Sequence, residues 1–226
     1  MPFDPAAETE ITAFAWVPPF AAGLVRDLRL RWAMEEIGRP YRVRLLDALS
    51  PRPQDYLCEQ PFDQVPAYRD PEVQLFESGA ILIHLGMHDE RLLPRATEPR
   101  MRAISWVIAA LNSVEPALSA LGLIDIFHKD EEWARLRRPG AEEMARLKLK
   151  RLADWLGDKE WLEGQFTIGD LMMTSVLRNL RHTDLVTAHP VLGPYLARGE
   201  ARAAFQRALA DQLAVFEQHQ PQGAAA

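Results

Sequence analysis

The sequence has very little cysteine: Cys58 is the only one in 226 residues. A single thiol excludes an internal disulfide, a CxxC redox pair and a cysteine-built zinc site. It suits a reducing compartment, so a cytoplasmic protein is expected. Nowhere do roughly 18 apolar residues run consecutively, and no membrane span is expected. The opening MPFDPAAETE lacks a basic segment leading into an apolar run, so no secretory signal is expected either. Basic charge is not in excess. Against 32 Asp and Glu there are 26 Lys and Arg, a net charge of -6 with no charged tail, which gives no electrostatic reason to expect nucleic acid or an anionic membrane as partner. Internal repeats are absent, and only the last residues, Gln218 to Ala226, look prone to fraying. What is present is a chain 48% hydrophobic, enough to bury the core of one large or two small domains.

The spacing of apolar residues divides the chain in two. Ile11 to Trp16 reads as a short strand, stopped by Pro18 and Pro19, which have no backbone N–H to donate. From Gly23 the pattern turns helical, with Leu24, Leu28, Trp32 and Ile37 near one stripe and Arg26, Arg29, Glu35 and Glu36 largely elsewhere. Gly38-Arg39-Pro40 ends that helix, and Tyr41 to Leu45 alternates as a half-buried strand does. Strand, helix, strand argues for a parallel pair. After a proline-rich loop, Val65 to Tyr68 and Val73 to Phe76 form two short strands about a turn, and a helix opens at Glu77-Ser78-Gly79. The order βαβ then ββα is that of a thioredoxin-like domain, expected over residues 10–88. Beyond Pro94 the chain is almost wholly helical, including an amphipathic stretch from Glu142 to Trp155. An all-α bundle is expected over 98–218, giving an α+β fold overall with the boundary near 88–98.

Chemistry concentrates in Gln60 to Tyr68 and Leu75 to Ile81. A Val65-Pro66 bond ahead of an edge strand can be cis, exposing the Val65 amide and carbonyl to a partner lying alongside. A helix opening at Glu77-Ser78 presents unpaired N–H groups and a positive dipole end, suited to a carboxylate. The Ser78 hydroxyl can add a hydrogen bond, and Glu77 can accept from an ammonium group. An amino-acid head attached to a peptide backbone fits this set. These residues resemble those of the glutathione transferase family, in which a Val-Pro pair followed by Glu-Ser at a helix start forms the glutathione site. A second stretch, Trp161 to Leu171, resembles the family's capped, buried helix: Thr167 with Asp170 has capping-box spacing, with Asp in place of Glu, and Phe166 with Leu171 has staple spacing. The likeness extends from Ile11 to about Phe216.

The resemblance implies that Val65 pairs with the cysteinyl backbone of glutathione, that Glu77 and Ser78 hold its γ-glutamyl end, that Gln64 assists, and that Arg52 reaches the glycine carboxylate. It implies glutathione as co-substrate, a small electrophile as second substrate, and a homodimer. One feature departs from the family. Members usually place a Tyr, Ser or Cys in or after the first strand, where it favours the glutathione thiolate. Here Phe14 to Arg26 contains no Tyr, Ser, Cys or Thr. Arg26 is the nearest polar side chain and the candidate replacement, with backbone amides at a helix start near Gly23 to Val25 as the alternative.

Met101, Trp106 and Ile108 are candidates to line an apolar second-substrate pocket. His84 and His88 have the spacing of a zinc pair, but with no third ligand apparent they are read as surface residues, and no metal is expected. Cys58 is read as an idle thiol. The function expected is transfer of glutathione sulfur to a small apolar electrophile. The alternatives are a non-catalytic binding protein on the same fold, or a glutathione-dependent isomerase or dehalogenase.

Overall fold

The structure, a computed structural model, describes residues 2–221; residues 222–226, part of the tail expected to fray, lie outside it. By its contacts the chain divides into two compact units. The first runs to Leu92 and takes the chain back at Arg202, and the second spans Leu93–Ala201.

In the first unit β1 (Glu10–Phe14) and β2 (Arg42–Leu46) pair in parallel, with Ile11 opposite Val43. Parallel neighbours need a crossover, supplied by helix α1 (Asp27–Ile37). The short helix α2 (Tyr56–Glu59) sits in the proline-rich loop. β3 (Ala67–Arg69) and β4 (Gln74–Phe76) then add antiparallel strands, so the sheet order is β2-β1-β3-β4, and α3 (Ser78–Met87) leaves β4 directly. This is the thioredoxin-like arrangement that the strand order implies.

The helix expected from Gly23 starts at Asp27. Gly23 has a φ of 77°, a left-handed conformation that a right-handed helix does not accommodate. The chain turns instead through bonds from the Ala21 N–H to the Pro18 carbonyl and from the Leu24 N–H to the Ala21 carbonyl, both 2.9 Å. At the other end Gly38, with φ 64°, closes α1 by donating to the Met34 carbonyl.

Leaving the fold of the second unit aside, the largest difference from the expected domains concerns the last helix, α9 (Ala203–Gln218), which packs against α1 in the first unit. Phe205 meets Trp32 edge-on at 4.9 Å between ring centres. Arg202 bonds both Glu36 oxygens (2.6 and 2.8 Å), Arg207 bonds Glu35 (2.6 Å), and Gln212 bonds Asp27 (2.7 Å). With α3 and α9 packed on it, α1 buries Arg29 and Glu35, which its stripe pattern set apart from the apolar face, and Asp27 and Arg31 as well.

The second unit is all-helical. α4 (Thr97–Ala109) continues through one widened π turn, Ala110–Val114, into α5 (Glu115–Phe127). Pro116 has no N–H to return to the preceding turn, and the wider turn, in which the Glu115 N–H reaches Ala110, accommodates this. The continuous helix is long and apolar enough, by length and composition alone, to cross a membrane. Its buried positions, among them Ala103, Val107, Ala110, Leu118 and Leu121, instead mark it as a core helix of the bundle, packed on α6 (Glu132–Leu156) and α7 (Ile168–Leu177). α6 begins ten residues before the stretch recognised from Glu142 and passes through Pro139. On the far side of that proline Arg138 ties the helix to Asp125 at 2.6 Å and to Glu142 at 2.7 Å. α8 (Leu192–Glu200) completes the unit.

α7 carries the expected cap. The Thr167 hydroxyl accepts from the Gly169 N–H (3.1 Å) and Asp170 accepts from the Thr167 N–H (3.0 Å). Phe166 lies edge-on against Trp161. Gly169 has to be glycine on steric grounds, because a Cβ there would sit 2.7 Å from the Trp106 Cβ of α4.

Candidate active site

The β3–β4 hairpin fixes the geometry of the site. Ala67 stands opposite Phe76, so the chain entering β3 and the chain leaving β4 emerge at the same end. Those two segments are Val65-Pro66 and Glu77-Ser78. The Val65-Pro66 peptide is cis. The Val65 side chain is committed to a cluster with Leu46, Tyr56 and Ala67, with Phe14 and Val25 against it, so this residue can offer a ligand only its backbone.

Two buried hydroxyls support that segment from behind. The Ala67 N–H donates to Thr12 Oγ1 at 2.7 Å, and the Tyr56 hydroxyl donates to the Gln64 carbonyl at 2.6 Å. Each hydroxyl has a single proton, so Thr12 must be the donor across the remaining 2.9 Å to the Tyr56 oxygen. The chain of bonds therefore runs one way, from β3 through β1 and α2 to the carbonyl preceding Val65. Burial pushes the Tyr56 hydroxyl up, which keeps it protonated for this role.

On the other segment, Glu77 has φ 67° and ψ 112°, an unusual conformation for a residue with a side chain, of the kind that costs on the order of 1–3 kcal/mol and clusters at functional sites. It places the turn so that Ser78 begins α3. The first turn of a helix leaves its N–H groups without intrahelical partners and carries the positive dipole end. Ser78 is buried, and its Oγ accepts a hydrogen bond from Arg29 Nη1 at 3.1 Å; Arg29 is buried as well. Because the oxygen is accepting from the guanidinium, the Ser78 proton is left to be donated, and a buried positive charge stands directly behind it.

The start of α1 reaches both segments. Arg26, the residue preceding the helix, donates from Nη1 to Gln64 Oε1 at 3.4 Å, while Arg29, three residues on and so on the same face, reaches Ser78. One helix start thus holds a cation against each of the two segments.

Comparison with known proteins identifies the domain and the fold. Residues 20–86 match the N-terminal domain of glutathione S-transferases. A glutathione S-transferase-like protein of Beauveria bassiana, OpS6, is 28% identical over 90 residues, 38% of this chain; the match spans 41% of that relative's length. A glutathione transferase family member from Pseudomonas fluorescens, solved with two glutathione molecules bound, superposes with a TM-score of 0.78 at 25% identity, covering 89% of this chain and 92% of that one. A glutathione transferase from Burkholderia graminis, also with two glutathione molecules per subunit, gives 0.77 at 26% identity over 89% and 87% of the two chains. Residues 20–86 thus match the glutathione S-transferase N-terminal domain, within a chain that has the glutathione transferase fold.

Arg52 is bound up in its own loop. It donates to the Asp47 carbonyl and to the Ser50 carbonyl (2.5 Å), approaches Asp63 at 3.6 Å and lies 4.8 Å over the Phe14 ring. It therefore packs behind the Val65 cluster, through Phe14. The amides of Gly23 to Val25 are not at a helix start, since α1 opens at Asp27; they belong to the preceding turns.

Met101, Trp106 and Ile108 do not form one pocket wall. Met101 and Ile108, seven residues apart, share an exposed face, while Trp106 points away from it. Trp106 donates to Glu163 at 2.6 Å and packs on Trp155, lining a cavity of about 260 Å³ with Arg102, Ser105 and Glu163.

His84 is structural rather than a surface residue. Its Nε2 lies 3.0 Å from Asp70, and its ring packs against Tyr68 and His88. Burial pushes the Asp70 carboxyl up, but hydrogen bonds from His84, Tyr68 and the Val73 and Glu72 amides outweigh it and hold the group well below the usual carboxylate range. No metal-binding cluster is found among the described residues. Cys58 is exposed.

Two residues of the site escaped the sequence reading. Arg29 was placed on the polar side of an amphipathic helix, and Tyr56 was one residue in a proline-rich loop. The signal available for Arg29 was its spacing of three from Arg26.

Proposed function

We propose that this protein binds glutathione along the β3–β4 end and transfers its sulfur to a small apolar electrophile. The observation that carries this reading is the placement of Arg26 beside Gln64 and Arg29 beside Ser78, at the edge formed by the cis Val65-Pro66 bond and the start of α3. In this reading the Val65 backbone pairs with the cysteinyl residue. Ser78 and the first N–H groups of α3 hold the γ-glutamyl carboxylate, with Arg29 adding charge from behind, and Glu77 accepts from the ammonium group. In the same reading Arg26, held beside Gln64, is the cation offered to the thiol, and its guanidinium stabilises the thiolate by charge and hydrogen bonding. Catalysis then consists of positioning together with a lowered thiol pKa. The single thiol and the family likeness support a cytoplasmic homodimer as part of the same proposal. The lack of any hydroxyl or thiol side chain from Phe14 to Arg26 favours a second reading, a glutathione-binding protein without turnover.

The deciding experiment is a glutathione titration that follows the ultraviolet absorbance of the thiolate together with the heat of binding. Binding with thiolate formation near neutral pH supports the transferase, binding without it supports the second reading, and no binding removes both. Ser78→Ala should weaken glutathione binding by about 10- to 100-fold, the worth of a hydrogen bond to a charged group; unchanged affinity would remove Ser78 from the site. Arg26→Ala should raise the apparent pKa of bound thiol by about one unit or more, the effect of withdrawing a nearby positive charge. A pH–rate profile superimposable on wild type would return the thiolate to backbone amides.

A further inference from the structure

The segment that carries Arg26 is fastened by a residue almost two hundred positions away. Gln212, on α9, is fully buried, and its side-chain amide Nε2 donates twice: to the Val25 carbonyl at 3.3 Å and to Asp27 Oδ1 at 2.7 Å. These two acceptors are the immediate neighbours of Arg26 in the chain. The Val25 carbonyl also accepts from the Leu28 N–H (3.0 Å) and the Arg26 carbonyl from the Arg29 N–H (3.1 Å), so the turn leading into α1 is pinned from the helix side and from α9 at once.

From this geometry we infer that Gln212 is a positioning residue for the thiolate-stabilising Arg26, holding the backbone on both sides of it so that the guanidinium is presented beside Gln64. The inference rests on the function proposed above for Arg26.

Three features of the bridge support a positioning role over simple docking of α9. First, docking is already supplied by other contacts on the same helix: Arg202 to Glu36, Arg207 to Glu35, and Phe205 against Trp32. Second, Gln212 spends both N–H groups on the two residues flanking Arg26, while its carbonyl oxygen is buried without a hydrogen-bond partner. A buried acceptor left unmade opposes folding, so the side chain is poorly explained as a stability element alone. Third, residues 19–24 are a series of turns with a left-handed Gly23, a stretch with little regular structure of its own to fix where Arg26 points. Such an approach to the site needs an anchor at its end, because a small displacement of a charged group reduces its effect on a developing thiolate.

The test compares Gln212→Met, which removes both donors at similar volume, with Arg26→Ala, the double variant, and Arg207→Ala. The last loosens α9 without touching residues 25–27. For each, the apparent pKa of bound glutathione thiol is read from thiolate absorbance against pH, with glutathione affinity measured alongside. Gln212→Met is expected to raise the pKa toward the Arg26→Ala value while changing affinity less than threefold. The double variant should match Arg26→Ala, and Arg207→Ala should match wild type. If Gln212→Met does not fold, Gln212→Asn, which withdraws the same amide by one methylene, takes its place. Should Arg26→Ala shift the pKa while the Gln212 variant leaves it unchanged, or should the two effects add, or Arg207→Ala shift it equally, the positioning role is overturned and the proposed function stands. An Arg26→Ala variant with an unshifted pKa overturns both.

Discussion

Arg31→Met is expected to lower the unfolding free energy by about 3–5 kcal/mol, the cost of breaking a buried pair by removing one partner. Arg31 and Asp27 lie one turn apart on α1, their side chains 2% and 1% exposed, with Nε 2.8 Å from Oδ2. Burial works against both charges, and the Asp27 carboxylate outweighs it at Arg31, holding the guanidinium charged. Without Arg31 the carboxylate keeps the Gln212 amide and a backbone N–H but no countercharge, in a place where burial already pushes its pKa up. Removing both charges, as Asp27→Leu with Arg31→Met, should be milder than removing Arg31 alone, because no lone charge is then left inside. Denaturant unfolding of the three variants decides the matter: a loss below about 1 kcal/mol for Arg31→Met, the range of an exposed pair, would mean that the pair is hydrated.

The same helix shows where sequence reading stopped. The stripe of Leu28 and Trp32 was legible, and so were the strand order, the Val-Pro and Glu-Ser segments and the capping spacing of Thr167 and Asp170. All of these rest on local spacing, which a sequence displays directly. The burial of Asp27, Arg29, Arg31 and Glu35 was not legible, because it depends on α3 and on α9, the latter a helix some 170 residues later whose destination leaves no trace in its own periodicity. A polar residue on an amphipathic helix reads as solvated until the partner that covers it is known. The start of α1 was misread for a local reason. Leu24 continues the apolar stripe, but the conformation of Gly23 prevents the helix from beginning there. Trp106 was grouped with Met101 and Ile108 by neighbourhood alone, although 3.6 residues per turn set it on another face.

The capped helix α7 carries the other large effect, and it depends on pH. Asp170 is buried and accepts from the Leu162 N–H (2.8 Å), the Thr167 N–H (3.0 Å), the Tyr195 hydroxyl (3.1 Å) and the Thr167 hydroxyl (3.3 Å). Asp170→Ala leaves four donors without their acceptor and should cost about 3–5 kcal/mol, at 1–3 kcal/mol for each donor with partial relaxation. The charge itself is not free of penalty. Burial outweighs these hydrogen bonds and pushes the carboxyl from its ordinary 3.8 up to about 6. A folded-state pKa above the unfolded one means that the folded protein takes up the proton first. The stability gained that way is fully present below about pH 4 and is lost as pH rises through about 6, a change of at most about 3 kcal/mol for a two-unit shift. Other carboxylates work in the opposite direction, among them Asp70, Glu10 and Glu163, whose pKa values are held low, so total stability need not rise on acidification. The contribution of Asp170 is isolated by difference. Asp170→Asn cannot titrate, and the gap in unfolding free energy between wild type and this variant should widen as pH falls from about 7 to 4.5. A gap that stays constant, or narrows, would show that the carboxylate is ionised throughout at its ordinary pKa or below, and that its hydrogen bonds outweigh burial after all.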